Sequence, residues 1–329
     1  MTHPNLEARR STSAARTNKL IWHAARVAVS AIIAFFCTGS VSSAGTLLKD
    51  QVTKATLKAP AIEYDIYLPD AALAEGVRLP VIYFLHGFGA SGEEWQHAGE
   101  LPKVLDRLIA TGAIAPLIAV MPNAGKSWYI DSARFGGPGD YESAIVRGLV
   151  EEIDGRYPTV PKAASRGLAG ISMGGYGALR LAFKHPEVFG AVAALSPGLF
   201  KKDGLSWQHG PEEARLAKRQ HWYANTFGSP FDLGYYIAES PFSYAETASS
   251  AADLPRVLLA VGDDDFFGSY DGTVEMFLEL RQLGQKPELR VGNGCHNWAF
   301  WRSILPDTVR FFDDQWSRNA DSDPDIEIR

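Results

Sequence analysis

The chain has 329 residues, of which 46% are hydrophobic and 21% charged, and its formal net charge at pH 7 is −6. This composition is that of a globular protein with a sizeable core, so it excludes fibrous and intrinsically disordered chains, and the negative charge argues against nucleic-acid binding. The two cysteines, Cys37 and Cys295, are too few for a disulfide framework or for a zinc site built from clustered cysteines.

The first 44 residues are typical of an export signal. Residues 1–26 carry five basic side chains against the single acid Glu7, and the apolar run 27–37 follows. Small residues then precede Ala44, after which we expect cleavage. An uncleaved membrane anchor is the alternative, but eleven residues fall short of the ~20 that span a bilayer. We therefore predict a signal peptide over residues 1–44 and a secreted or periplasmic protein with no stable membrane span after processing.

Residues 45–317 are predicted to form one domain, because they contain no linker-like segment and no repeat. Alternation over residues 51–67 predicts an antiparallel hairpin at a sheet edge, and residues 318–329 are expected to form a polar tail. Apolar runs of strand length lie at residues 79–85, 114–121, 167–171, 191–195, 257–261 and 288–291. Helical periodicity occurs over residues 141–153, 176–184, 273–283 and 304–316. This alternation predicts an α/β fold with a mostly parallel central sheet and helices on both faces.

The strongest chemical motif is Gly-Ile-Ser-Met-Gly at residues 170–174, between a predicted strand and a predicted helix. Glycines at both ends permit a very tight turn, which lifts Ser172 clear of the sheet and places it at a helix N-terminus. This context is that of a nucleophile elbow. An ordinary serine in a glycine-rich turn is the alternative, because the five-residue pattern alone also occurs by chance.

A serine hydroxyl needs a neighbouring base, and His296 is the histidine expected at the same sheet edge as Ser172. It follows the last predicted strand and precedes the last predicted helix. An acid that orients the imidazole is expected among residues 263–265, three aspartates that follow the preceding strand. The resulting order Ser, Asp, His is that of α/β-hydrolases. A metal-binding acidic loop or a surface histidine are the alternatives.

Two backbone amides are expected to stabilise a developing oxyanion. The amide of Met173, which follows the nucleophile, is one, and the amide of Phe88, in the Gly-Phe-Gly loop after an earlier strand, is the other.

Four ordered motifs together resemble the esterase D type of α/β-hydrolase, and the likeness covers nearly all of residues 55–315. The motifs are FLHGFG at 84–89, SWYID at 127–131, GISMGGYGAL at 170–179 and GCHNW at 294–298. This family contains S-formylglutathione hydrolases, feruloyl and acetylxylan esterases, tributyrin-type esterases and mycolyltransferases. Its acid commonly stands fourth in a Gly-x-x-Asp segment, so the resemblance implies Asp265 as the triad acid. The export signal favours family members outside the cytoplasm over S-formylglutathione hydrolases.

The connection at about residues 199–253 is unusually long and rich in aromatic residues, which suggests a functional insert over the active site. Its rings either line a substrate pocket or form the insert's own core. Trp128, Tyr129 and Trp298 are further candidates for substrate binding. The aromatic residues of the insert are Trp207, Trp222, Tyr223, Phe227, Phe231, Tyr235, Tyr236, Phe242 and Tyr244.

These features predict an exported serine carboxylic-ester hydrolase that acts on small, aryl or carbohydrate-linked esters through an acyl-enzyme. Its catalytic residues would be Ser172, Asp265 and His296, and it would require no metal and no organic cofactor. The nearest alternative is an acyltransferase that passes the acyl group to a sugar hydroxyl. A non-catalytic binding protein with the same fold is an alternative of another class.

Overall fold

A computed structural model describes residues 44–52, 61–199, 222–223 and 225–322. Apart from Ala44, the predicted signal peptide lies outside the described residues. The same holds for Trp207 of the insert and for residues 323–329 of the predicted tail. Among the described residues, no helix combines the length and the apolar character needed to cross a membrane.

The fold is built on an eight-stranded, mostly parallel sheet with the spatial order β1-β2-β4-β3-β5-β6-β7-β8. Strands β3 to β8 pair in parallel, whereas β2 is antiparallel to both β1 and β4. This architecture confirms the predicted α/β-hydrolase fold. The strands are β1 (Thr46–Val52), β2 (Ile62–Leu68), β3 (Val81–Leu85), β4 (Ile118–Pro122), β5 (Arg166–Ile171), β6 (Ala191–Leu195), β7 (Arg256–Gly262) and β8 (Glu288–Gly292).

Prolines account for two strands that begin later than predicted. Strand β3 begins after Pro80, and β4 begins two residues after Pro116, because proline has no backbone N–H to donate to a ladder. The predicted edge hairpin is present as β1 and β2, but its first strand begins at Thr46. Residues 53–60, on which that prediction partly rested, lie outside the described part of the chain.

Strands β3 to β6 at the centre of the sheet are buried throughout, as both faces of parallel strands require, whereas β1 at one edge is mostly exposed and β8 at the other is largely half-buried. In β3, Tyr83 contributes to the core on one face, whereas Ile82 and Phe84 contribute to the core on the other. The helices are α1 (Glu93–His97), α2 (Leu101–Ala110), α3 (Tyr141–Ser143), α4 (Val150–Arg156), α5 (Met173–Lys184), α6 (Leu233–Ala238), α7 (Pro241–Thr247), α8 (Ser269–Gln282) and α9 (Trp298–Ser322). Of these, α5, α8 and α9 pack directly on the strands, whereas α6 and α7 of the insert pack on other helices.

Two helical regions differ from the sequence prediction. The predicted helix over residues 141–153 contains a π-helical segment, Ala144–Leu149, between α3 and α4. Helix α9 continues through Ser322 and so takes in the first five residues of the predicted tail. Those five residues contain neither proline nor glycine, so nothing in them breaks a helix.

Candidate active site

Ser172 lies in a strained turn between β5 and α5. Its φ of 53° and ψ of −117° are unfavourable for a residue with a Cβ, as expected where backbone strain is concentrated at a functional site. A Cβ on Gly170 would lie 2.2 Å from the carbonyl oxygen of Gly174, and a Cβ on Gly174 would lie 2.2 Å from the carbonyl oxygen of Leu85. The two glycines are therefore required by close backbone contacts on each side of the serine.

The loops that follow β7 and β8 are joined to each other by their backbones and by one aspartate. The side chain of Asp263 accepts a hydrogen bond from the Gly294 amide at 3.0 Å, and the amide of Asp264 donates to the Gly294 carbonyl at 3.0 Å. Immediately after His296, the Asn297 side chain accepts from the amides of Ala299 and Phe300 and so caps α9. The histidine is thus held between a loop contact and a helix N-terminus.

The structure brings Ser172, His296 and Asp265 into one hydrogen-bonded chain. The Oγ of Ser172 lies 2.9 Å from Nε2 of His296, and Nδ1 of His296 lies 2.7 Å from Oδ2 of Asp265. The other carboxylate oxygen of Asp265 accepts from the Phe267 amide at 3.0 Å, and the Asp265 side chain is fully buried. With Asp265 ionised, these contacts assign the imidazole proton to Nδ1 and leave Nε2 free to accept the serine proton.

The loop after β3 lies against the serine. A Cβ on Gly87 would come within 3.7 Å of the Ser172 Cβ, so the peptide that joins Gly87 to Phe88 borders the nucleophile. His86 donates from Nδ1 to the Gly87 carbonyl at 2.7 Å and accepts the Ala124 amide on Nε2 at 2.9 Å. In a planar trans peptide the carbonyl and the N–H point in opposite directions, so His86 fixes the direction of the Phe88 amide.

His86 is a buried, neutral histidine. Burial lowers its pKa to about 4, and the hydrogen bond to the Gly87 carbonyl opposes this only in part. The neutral form is also the one that its two contacts need, because a protonated ring could not accept the Ala124 amide.

Glu94, on α1, contacts the same loop and was not singled out from the sequence. Its Oε1 accepts from the Gly87 amide at 2.7 Å, and its Oε2 accepts from the indole N–H of Trp298 at 3.3 Å. Burial raises the pKa of this carboxyl, although both hydrogen bonds act in the opposite direction. No local motif marks it, since it is one of two consecutive glutamates in a short helix.

A cavity of about 190 Å³ opens beside Ser172 and His296. Its surface is largely apolar, and Glu94 is the charged carboxylate among its lining residues. The complete lining is Gly87, Phe88, Ala90, Glu94, Trp128, Ile171, Ser172, Gly198, Trp222, Tyr223, Phe267, Ser269, His296 and Trp301.

Of the three predicted substrate-binding residues, only Trp128 lines this cavity. Tyr129 is fully buried, donates its hydroxyl to the His86 carbonyl at 3.0 Å and packs its ring against Gly177. Trp298 packs edge-on against Trp95 and donates its N–H to Glu94. The polar atoms of both side chains are thus bonded to protein groups, Tyr129 to the His86 carbonyl and Trp298 to Glu94, and neither residue lines the cavity.

The aromatic residues of the insert divide between the two roles considered for them. Trp222 and Tyr223 line the cavity, and the Trp222 carbonyl accepts from the Trp128 indole at 2.9 Å. Behind them, Tyr223 stacks on Phe231 with ring centroids 5.4 Å apart, and Phe227 is fully buried. The described part of the insert thus supplies a cavity wall and a small aromatic core that supports it.

A buried arginine attaches the insert to the helix of the nucleophile. Arg180, on α5, forms ion pairs with Glu142 and with Glu239 of the insert, and the Tyr176 hydroxyl donates to the Glu239 carbonyl at 2.9 Å. Burial alone would raise the pKa of Glu142, but the hydrogen bond to His185 and the charge of Arg180 outweigh it and lower that pKa. The cavity wall is therefore anchored to α5, the helix that follows Ser172.

Two aromatic residues missed from the sequence contact the His296 ring. The ring centroid of Phe267 lies 4.7 Å from that of His296, and the Trp301 ring meets it edge-on at 5.1 Å while donating its N–H to the Ser196 hydroxyl. Phe267 stands two residues after Asp265, the last of the three aspartates, so its position was the one available signal. Among the described residues, no three His, Cys, Asp or Glu side chains come together to hold a metal ion.

Comparison with known proteins places this geometry in a family. The sequence model described as putative esterase matches residues 59–312. The endo-1,4-beta-xylanase/feruloyl esterase of Xylanibacter ruminicola is 30% identical over 150 residues, which are 43% of this chain and only 20% of that protein. The acetyl esterase of Caldicellulosiruptor saccharolyticus is 25% identical over 234 residues, which are 69% of this chain and 80% of that protein. A solved ferulic acid esterase has a TM-score of 0.67 and 25% identity, over 83% of this chain and 98% of its own. Since the family match covers more than half of the sequence, the chain belongs to the putative esterase family.

Proposed function

We propose that the protein is an exported serine esterase that hydrolyses carboxylic esters through an acyl-enzyme. The observation that carries the proposal is the chain of contacts from Ser172 Oγ through His296 to Asp265, at 2.9 and 2.7 Å, beside an open cavity. Nucleophile, base and orienting acid within hydrogen-bond reach are the arrangement that activates a serine hydroxyl. Membership of the esterase family supports the same reaction.

In the first half-reaction, the Oγ of Ser172 attacks the ester carbonyl carbon while its proton passes to Nε2 of His296. The amides of Phe88 and Met173 stabilise the negative oxygen of the tetrahedral intermediate, and buried Asp265 stabilises the imidazolium. The bond from carbon to the alcohol oxygen then breaks. His296 returns its proton to that oxygen, so the alcohol leaves neutral and Ser172 carries the acyl group.

In the second half-reaction, water takes the place of the alcohol. His296 accepts a proton from the water as its oxygen attacks the acyl carbon, and the same two amides stabilise the second tetrahedral intermediate. Collapse breaks the bond to Ser172 Oγ, which recovers its proton from His296, and the free acid leaves. The side chains thus return to their starting protonation states.

The cavity favours a neutral acyl group or part of an aryl ester. Its volume of about 190 Å³ is below the roughly 300–1,000 Å³ of pockets that enclose a drug-sized ligand, so it encloses one part of the substrate. Trp128, Trp222 and Tyr223 offer flat apolar walls, and the Glu94 carboxyl disfavours an anionic acid. A small acyl or phenylpropenoyl group fits these properties.

The alcohol part of the ester lies on the outer side of His296, because this residue must protonate the leaving oxygen. There Phe266 exposes 70% of its surface, and its ring centroid lies 6.3 Å from that of His296. An exposed ring at this position suits an aryl alcohol or the apolar face of a sugar. Phe266→Ala is therefore expected to raise KM for a xyloside ester and not for the methyl ester of the same acid; equal effects on both would contradict this placement.

The direct test of the esterase proposal uses Ser172→Ala and p-nitrophenyl acetate. We expect kcat to fall by several orders of magnitude, on the order of the loss seen when a serine protease nucleophile is removed. Ser249→Ala, a substitution at an exposed serine, is the matched control and should retain activity. Activity retained by Ser172→Ala would reject the assignment, and a wild type that does not react with a fluorophosphonate would favour the non-catalytic alternative.

Hydrolysis and acyl transfer are separated by their products. Incubation of an ester with and without a polyol such as trehalose should give the free acid as the main product in both cases. A transfer product in excess of the free acid would instead favour the acyltransferase.

For the export part of the proposal, the secreted or periplasmic protein should begin at Gly45 by N-terminal sequencing, whereas an intact N-terminus would contradict it.

A further inference from the structure

Three elements of the catalytic site meet at one side chain that the mechanism above does not use. Glu94 contacts the oxyanion loop through the Gly87 amide, and it contacts the first residue of α9 through the Trp298 indole. Trp298 is two residues beyond His296, and Glu94 also lines the cavity beside Ser172. Its carboxylate is therefore the point at which the loop after β3 and the histidine segment after β8 are joined.

The two contacts fix different parts of the site. The Gly87 amide belongs to the peptide just before the one that carries the Phe88 N–H, so a bond of 2.7 Å to Oε1 restricts the rotation of both peptides. The contact of 3.3 Å from Trp298 to Oε2 restrains the start of α9 relative to α1. Trp298 is also held between Trp95 and Trp301, at centroid distances of 5.2 and 5.4 Å.

A carboxylate suits this position better than any neutral side chain of the same size. It accepts two N–H donors that approach from opposite catalytic elements, and it has no proton with which to repel either of them. A carboxamide at the same place has one acceptor oxygen, so it accepts a hydrogen bond from one of the two donors and turns its NH₂ group toward the other. The mostly apolar surroundings would be an unfavourable place for a carboxylate without such partners.

We infer that Glu94 is a positioning residue, which holds the Phe88 amide in the direction that stabilises the oxyanion and keeps that amide at a fixed position relative to His296. This inference rests on the proposed esterase function. It does not make Glu94 a catalytic residue, since its effect on the reacting atoms passes through Gly87 and Trp298. Because the oxyanion exists only in the transition state and the intermediates, the predicted effect is on kcat rather than on KM.

The experiment measures kcat and KM for p-nitrophenyl acetate, with the active enzyme counted by fluorophosphonate labelling so that unfolded protein does not contribute. Loss of an entire oxyanion donor lowers kcat by about 100- to 1,000-fold, so loosening one with Glu94→Ala should lower it by about 10- to 100-fold with KM nearly unchanged. Glu93→Ala is the matched control. Glu93 neighbours Glu94 on α1 but pairs with Lys49 at the surface, and its removal should leave kcat unchanged.

A double-mutant cycle identifies the Trp298 contact. Glu94→Gln retains one acceptor for Gly87 and should recover most of the kcat lost in Glu94→Ala. Trp298→Phe removes the donor that the new NH₂ group would face, so Glu94→Gln should cost less in that background than in the wild type. This readout also remains available if Glu94→Ala does not fold.

The outcomes separate the two proposals. If the wild type labels but Glu94→Ala keeps the wild-type kcat, or changes KM alone, the positioning role is overturned and the esterase proposal stays intact. If Glu94→Gln lowers kcat by the same factor in the wild type and in the Trp298→Phe background, the link to the histidine segment is overturned. A wild type that neither labels nor hydrolyses any ester contradicts the esterase function, and the positioning role with it.

Discussion

Acid should destabilise the folded protein through one buried histidine, His86. Burial lowers its pKa to about 4, whereas an unfolded histidine titrates near 6.5. As the pH falls, the unfolded chain binds this proton first, so the contribution of His86 to stability is complete above about pH 6.5 and is lost between pH 6.5 and 4. A difference of about 2.5 pH units at 1.36 kcal/mol each amounts to roughly 3 kcal/mol in the free energy of unfolding by pH 4.

Urea unfolding at a series of pH values between 7.5 and 4 measures this loss. His86→Gln removes the titrating group, so the wild type should lose roughly 3 kcal/mol more than this variant over the same range. His97→Gln, at an exposed histidine, is the matched control and should follow the wild type. Parallel curves for the wild type and His86→Gln would refute the reasoning, because they would mean that His86 titrates alike in the folded and unfolded chains.

Two further substitutions test the packing around the elbow. Gly170→Ala puts a Cβ 2.2 Å from a backbone oxygen and should abolish activity or folding. Gly155→Ala, on α4, meets nothing within 4 Å and should raise the free energy of unfolding by about 0.5–1 kcal/mol. Urea unfolding and esterase assays compare the two variants, and similar behaviour of both would contradict the close contact at Gly170. Arg180→Leu removes the buried guanidinium that Glu142 and Glu239 share and should cost about 3 kcal/mol in urea unfolding; a loss below about 1 kcal/mol would show that the buried pairs do not stabilise the insert.

The parts of the site that were predictable from the sequence are those in which chemistry demands particular residues at particular spacings. The elbow needs glycine at 170 and 174 because backbone oxygens occupy the space of their side chains. The ends of β5, β7 and β8 lie at the same edge of a parallel sheet, so residues that follow these strands meet there. Among the three aspartates, Asp265 was identified through the family pattern, and its carboxylate is the one that reaches His296.

The parts that were not predictable depend on which way a side chain points. Tyr129 and Trp298 were expected in the pocket because they are aromatic and stand in the motifs, but the His86 carbonyl and the Glu94 carboxylate accept their polar hydrogens, and neither residue lines the cavity. The contact between Glu94 and Gly87 joins residues seven apart across a turn, for which no periodic pattern exists. The insert residues divide between wall and core according to their tertiary neighbours, which composition does not encode.

The central claim is that Ser172 becomes covalently acylated, and mass spectrometry of the intact protein tests it most directly. After rapid mixing with p-nitrophenyl acetate and quenching in acid, the wild type should gain the mass of one acetyl group, and peptide mapping should locate that group on Ser172. Ser172→Ala should show no such adduct. An adduct on a different residue, or turnover with Ser172 never modified, would contradict the account.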